Sequence, residues 1–147
     1  MSRRTSIVKA LTAKLNSTLD GSDPSYHFNI YGKAEAKLKF WDECNEFPSL
    51  FVTPGTEMRE YLPGDFTWGY LGVCLKIYVK GDDATEQLEA LLEDCERVID
   101  ANRVLIYDTD NNYETTEIQI QSITTDEGLL APYGVGEINL QVRYQLM

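Results

Sequence analysis

Hydrophobic residues recur along this chain at two periods, and each period marks a different kind of element. Ile138, Leu140, Val142, Tyr144 and Leu146 alternate with Asn139, Gln141, Arg143 and Gln145. Successive strand residues point to opposite sides, so this spacing predicts a strand with one apolar face. Ile118 and Ile120 against Glu117, Gln119 and Gln121 predict a second strand of the same kind. The link from Thr124 to Gly136 is glycine-punctuated and carries Leu129, Leu130 and Tyr133, and its Gly134-Val135-Gly136 reads as a flexible lead-in. A last strand of this type is either deep inside a sheet or a place where another copy adds on.

The strongest strand is Trp68 to Lys80. Leu71, Val73, Leu75, Ile77 and Val79 form an aliphatic face, and the other face is mixed. Two helices follow from three-to-four spacing. Ser6 to Leu19 carries Ile7, Val8, Leu11, Leu15 and Leu19; the later helix carries Leu88, Leu91, Leu92, Cys95, Val98 and Ile99. Asp83 with Glu86 three residues on has capping-box spacing. The second helix has a polar face rich in acids, including Asp94, whereas the first carries Arg3, Arg4, Lys9 and Lys14 with no acid before Asp20. Opposed fields of this kind suggest solvated faces, or the first helix meeting the second within the subunit or across a contact between copies.

Between these elements, Tyr26, Phe28 and Ile30 alternate with His27, Asn29 and Tyr31 and predict a strand. From Gly32 to Phe47 both periods fit. Leu50-Phe51-Val52 reads as a short strand before Pro54-Gly55. Thr56 to Phe66 carries Met58, Tyr61, Leu62 and Phe66 among charges, with Pro63-Gly64 near its end, and reads as an extended arm or long hairpin. The fold class is α+β: a mainly antiparallel β-sheet with two α-helices packed on one face and an extended arm. Residues 1–147 are expected to form one domain. Predicted core positions include Leu11, Leu15, Val73, Leu75, Ile77, Leu88, Leu91, Leu92, Cys95, Ile118, Ile120, Leu140 and Val142.

Composition narrows the function classes. A 147-residue chain with 43% hydrophobic and 11% aromatic residues has the material for a packed core. Its formal charge, 13 − 24 = −11, argues against a general binder of nucleic acid or anionic membrane. No apolar run reaches the length of a membrane span, and the first residues lead into an amphipathic segment rather than a signal-peptide core. Cys44, Cys74 and Cys95 lack paired spacing and read as reduced thiols in a cytoplasm.

Catalytic chemistry finds little to work with. A zinc site built around the single histidine, His27, would need an unusual ligand set, and His27 reads as a surface or strand-edge residue. Asp108-Thr109-Asp110-Asn111-Asn112 has the rhythm of a calcium loop. Tyr113 and Gln119 stand where the turn glycine and the bidentate glutamate are needed, so a polar turn is the simpler reading. No glycine-rich loop opens a helix, and no nucleophile elbow is recognisable. The series Tyr61, Phe66, Trp68, Tyr70 and Tyr78 could stack bases, but no basic groove is interleaved with it, and protein contact is preferred. No cofactor is implied.

The order of elements carries a resemblance. A helix and a predicted strand precede Glu46-Phe47-Pro48-Ser49-Leu50-Phe51-Val52-Thr53-Pro54-Gly55, then an arm. A strong strand ending Ile77-Tyr78-Val79-Lys80-Gly81-Asp82-Asp83 and a Leu/Glu-rich helix follow. The close is Ile123-Thr124-Thr125-Asp126-Glu127-Gly128, a Tyr-Gly and the alternating strand. Over nearly its whole length the chain resembles the tail terminator, or tail completion, proteins of tailed bacteriophages.

That resemblance implies a non-enzymatic virion protein, assembled in the host cytoplasm and placed at the head-proximal end of the tail. Its members form a hexameric homo-oligomer ring on the tail tube protein, end tube polymerisation, and present a docking face to the neck or head-completion protein. In contractile tails the sheath is a further partner. DNA passes the lumen without specific binding, and no membrane is involved. A closed ring needs one patch to meet a different patch on its neighbour. The arm (Met58, Tyr61, Leu62, Phe66, Trp68) and the apolar loop (Leu129, Leu130, Tyr133) are the candidate halves. Another phage neck or baseplate ring or adaptor, or a small cytoplasmic ligand-binding domain, stays open as an alternative.

Overall fold

The fold was read from a computed structural model, which describes residues 1–146. Helix α1 (Arg3–Thr18) starts before the apolar stripe does, because the Ser2 side chain caps it by accepting the Thr5 N–H at 3.1 Å. Strand β1 (Ala34–Glu35) is two residues long, and a 3₁₀ turn covers Trp41–Glu43. Strands β2 (Ser49–Leu62) and β3 (Phe66–Lys80) form a long hairpin. Helix α2 (Ala84–Ala101) is followed by the small hairpin of β4 (Ile106–Asp108) and β5 (Tyr113–Glu114). Strands β6 (Glu117–Thr125) and β7 (Tyr133–Gln145) complete a five-stranded sheet in the order β1-β2-β3-β7-β6. All pairings in it are antiparallel except β1 with β2.

The architecture is α+β with both helices on one face of the sheet. Leu71, Val73, Leu75 and Ile77 of β3 pair with Val142, Leu140, Ile138 and Gly136 of β7, so the two apolar faces coincide. Ile7, Leu11 and Leu15 of α1 and Leu91, Cys95 and Val98 of α2 close over them in one buried cluster. The predicted core is buried throughout except Ile120, which is partly buried on β6. At one end of the far face, Phe51, Tyr78 and Cys44 pack with Trp41, Phe47 and Val135. Trp41, Cys44 and Phe47 of this patch come from the segment of ambiguous period, which is mostly loop.

Four readings need correction. Residues 26–31 are not a strand. Their alternation comes from a strap held against α2: Tyr26 and Phe28 pack on the core, and the His27 and Phe28 N–H groups donate to Asp94 at 3.0 and 2.8 Å. Asp94 is accordingly no member of a wet face; it is fully buried. Asp83 occupies the N-cap of α2 but makes no capping bond, because its carboxylate accepts from Gln87 Nε2 at 2.6 Å. Gly134 and Gly136 lie inside β7 rather than in a flexible lead-in. A Cβ on Gly134 would sit 2.7 Å from Val79 Cγ2 and 3.0 Å from the Ala84 carbonyl; one on Gly136 would sit 2.9 Å from Leu88 Cδ1. Glycine at both positions lets α2 rest on the sheet.

Candidate assembly surface

The β2–β3 hairpin extends well past the short β1, and its geometry is set by a bulge. Strand β2 does not stop at Pro54-Gly55 but runs through it, with a register shift between Pro54 and Glu57. Proline is tolerated there because the position is an edge and a bulge. Gly72 faces the bulge, and a Cβ on it would lie 3.2 Å from the Thr56 carbonyl. The extra residue inverts the parity of the strand. Leu50 and Val52 point toward the helices, and beyond the bulge Glu57, Arg59 and Tyr61 do so. Met58, Glu60 and Leu62 join Phe66, Trp68 and Tyr70 on the opposite face. The turn is Pro63-Gly64-Asp65, with Gly64 and Asp65 in the left-handed region at φ 84° and 62°.

The arm is anchored at its root and bare at its tip. The Glu57 carboxylate accepts from the Tyr144 hydroxyl and from Arg59 Nε at 3.0 Å. The Arg143 guanidinium lies 4.0 Å from the Trp68 ring centroid, and Phe66 meets Trp68 edge-on at 4.9 Å. Phe66 and Trp68 are therefore half-buried within the subunit. Met58 and Tyr61 are 66% and 73% exposed, and Leu62 is exposed as well. Isolated apolar side chains on a surface are ordinary; here Met58 and Leu62 lie on one face of the projecting hairpin and Tyr61 on the other, so both faces of the arm expose apolar surface.

The second predicted patch sits at the other end of the sheet. Lys80 pairs with Tyr133, whereas Phe66 pairs with Leu62, so the 15 residues of β3 separate loop from arm. At about 3.3 Å per residue that is about 45 Å. Asp126 organises the loop by accepting the Leu130 N–H at 3.0 Å and the Val135 N–H at 3.2 Å. Leu129 is 85% exposed. Leu130 is half-buried, and the Tyr133 ring is engaged within the subunit, 5.0 Å from Trp41 and 5.7 Å from Phe47.

Chemistry on the open sheet face is muted. Cys74 donates to Glu137 Oε1 at 3.1 Å, and Lys76 reaches the same carboxylate at 3.4 Å. Burial, and then the bond to Glu137, push the Cys74 thiol up to about 12, so it stays protonated and poorly nucleophilic at neutral pH. Its hydrogen bond in turn lowers the Glu137 carboxyl. Cys44 and Cys95 are buried and unpaired. His27 is exposed beside Glu93, and Asp108 caps a polar turn by accepting the Asn111 N–H at 3.1 Å. Among the described residues, no three His, Cys, Asp or Glu side chains are grouped to hold a metal ion. The open cleft beside Gly81–Glu86 and Pro132, about 570 Å³, is lined by the carboxylates of Asp82, Asp83 and Glu86 and by Thr85.

An α+β subunit whose longest hairpin projects with exposed Met58, Tyr61 and Leu62 presents surface suited to contact with other proteins. Comparison with known proteins gives such a subunit a family. Residues 1–147 match the family described as Bacteriophage Tail Tube Terminator Protein, and the chain belongs to it. It is 40% identical to tail tube terminator protein p142 of Escherichia phage T5, over 99% of this chain and 95% of that one. Among solved structures, a chain from the virion of a native gene transfer agent particle has the same fold. Its TM-score is 0.62 at 8% identity, covering 98% of this chain and 99% of the other. Among the described residues no helix is long and apolar enough to cross a membrane.

Proposed function

We propose that this chain, folded as one domain over residues 1–147, forms a hexameric ring that caps the head-proximal end of a phage tail tube. The ring ends tube polymerisation and offers its outer face to the neck protein, without catalysing a reaction. The observation that carries the reading is membership of the tail tube terminator family along the whole chain. A hairpin tip bearing Met58, Tyr61 and Leu62, with Leu129 bare about 45 Å away, supports it by supplying two different patches for a head-to-tail contact. Phe66 and Trp68 stiffen the arm, and Leu130 and Tyr133 fix the loop. Stable contacts of this kind bury about 1,200–2,000 Å² or more, with aromatic side chains near the centre.

Tail length is the decisive readout. Particles assembled without this protein are expected to carry tails of uncontrolled length detached from heads, by negative-stain microscopy. Uniform tails joined to capsids would overturn the reading. Replacing both Tyr61 and Phe66 with Ser is expected to leave the subunit folded by circular dichroism but to weaken ring formation. An unchanged oligomer mass by light scattering would take the arm out of the contact.

A further inference from the structure

Alternation along the last strand raised the choice between a strand inside the sheet and an edge for another copy; β7 is inside, between β3 and β6. The exposed edge is β6. Its run Ile118-Gln119-Ile120-Gln121-Ser122-Ile123-Thr124-Thr125 has no charge, proline or glycine, in a chain in which 25% of residues are charged. Edges left free in isolated proteins are blunted by charge, proline, shortness or a covering element. β6 is nine residues long, and only a bulge between Ile120 and Ser122 interrupts it. Among the described residues, no strand pairs with its outer side and no backbone hydrogen bond is made there.

The opposite edge of the same sheet is bare over a matching length. β1 pairs with β2 only at Leu50 and Phe51, and Arg4 takes the Gly55 carbonyl. From Thr56 to Leu62 the outer side of β2 has no neighbouring strand among the described residues. The bulges in both edge strands turn an otherwise outward side chain toward the helix side: Ile123 pairs opposite Ile138, and Tyr61 opposite Thr67. Ile123 is 40% exposed there.

We propose that the outer edge of β6 is the docking site for the arm segment Thr56–Leu62 of a second copy, which adds to the sheet as a further strand. One subunit's β6 meets the next subunit's β2, two different edges on opposite sides of one sheet, so the contact propagates head to tail and is satisfied everywhere only in a closed ring. Backbone pairing supplies the affinity. The cross-strand meeting of an aromatic side chain, Tyr61, with a β-branched one, Ile123, supplies register. This rests on the ring reading above and names the surface through which the ring closes.

The test uses the full-length protein, alone over a concentration series and added to tail tubes prepared without it. Amide hydrogen exchange is read across Ile118–Thr125 and Thr56–Leu62 in subunit and ring. Both segments are expected to slow by at least about tenfold on assembly, and Ile123→Lys is expected to abolish rings at an unchanged melting temperature. Rings that form with both segments exchanging as in the free subunit, or an Ile123→Lys protein that assembles normally, would overturn the edge contact and leave the ring reading intact. Loss of rings in Leu129→Lys but not in Ile123→Lys would move the contact to the loop and overturn the proposal. If unaltered protein forms no ring even on tubes, both readings fall together. Should Ile123→Lys unfold, Gln121→Lys, exposed on the same strand, replaces it with the same expected loss.

Discussion

Asp94 does more for this structure than its residue type suggests. It lies at the spacing of the apolar stripe, between Leu91 and Cys95 and four residues before Val98, and it is fully buried. Its two oxygens take the N–H groups of His27 and Phe28, and one turn on Arg97 donates to the Ser25 carbonyl at 2.6 Å and stacks 4.3 Å from the Tyr26 ring. Two side chains of one helix thus hold a strap that has no strand partner. Asp94→Ala leaves two amides without acceptors and a hole beside Cys95. It is expected to lower stability by about 3 kcal/mol, the scale of losing hydrogen bonds to a charged group, and Asp94→Asn by less. Urea denaturation checks this, and an unchanged midpoint for the alanine variant would mean that the strap is held by Arg97 and packing alone. The sequence reading put Asp94 with the acids of the polar face, although its position between Leu91 and Cys95 falls on the buried side; the partner was illegible because it is backbone, which has no sequence signature.

At the scale of elements, α2 and β7 fit because two glycines leave no side chain between them. Gly134→Ala is expected to cost about 1–3 kcal/mol, since the new methyl meets the Ala84 carbonyl, which is backbone and cannot swing aside. Thermal unfolding measures it; a neutral variant would mean that α2 can lift without loss of packing. The helices and the strands β3 and β7 were legible because each keeps one period for ten residues or more. The facing of the arm was not, because the bulge after Pro54 shifts Tyr61 to the helix side while Met58 and Leu62 face away. Alternation misled at Tyr26–Tyr31 for a related reason: burial of every second residue against a helix produces the same pattern as a strand.

For the whole molecule, charge and edges make opposite demands on assembly. Each subunit carries a formal −11, so closing a ring gathers like charges. The acidic ridge of α2 already crowds itself: burial first, and then Asp100, Glu93 and Glu89, push the Glu96 carboxyl up. The basic α1 does not relieve this within the subunit, since among the described residues no ion pair joins the two helices. Two ways of closing a ring then differ in sign. If backbone pairing and apolar contact hold the copies together, added salt screens their mutual repulsion and favours the ring. If α1 of one copy sits on the acidic α2 of the next, added salt weakens it. Raising salt from about 0.05 to about 0.5 M shortens the screening length from about 14 Å to about 4 Å. Because the Ile118–Thr125 run of the β6 edge carries no charge and, among the described residues, pairs with no strand on its outer side, the first sign is expected: sedimentation should show a larger ring fraction at high salt. A ring that dissolves on adding salt would assign the contact to the helices.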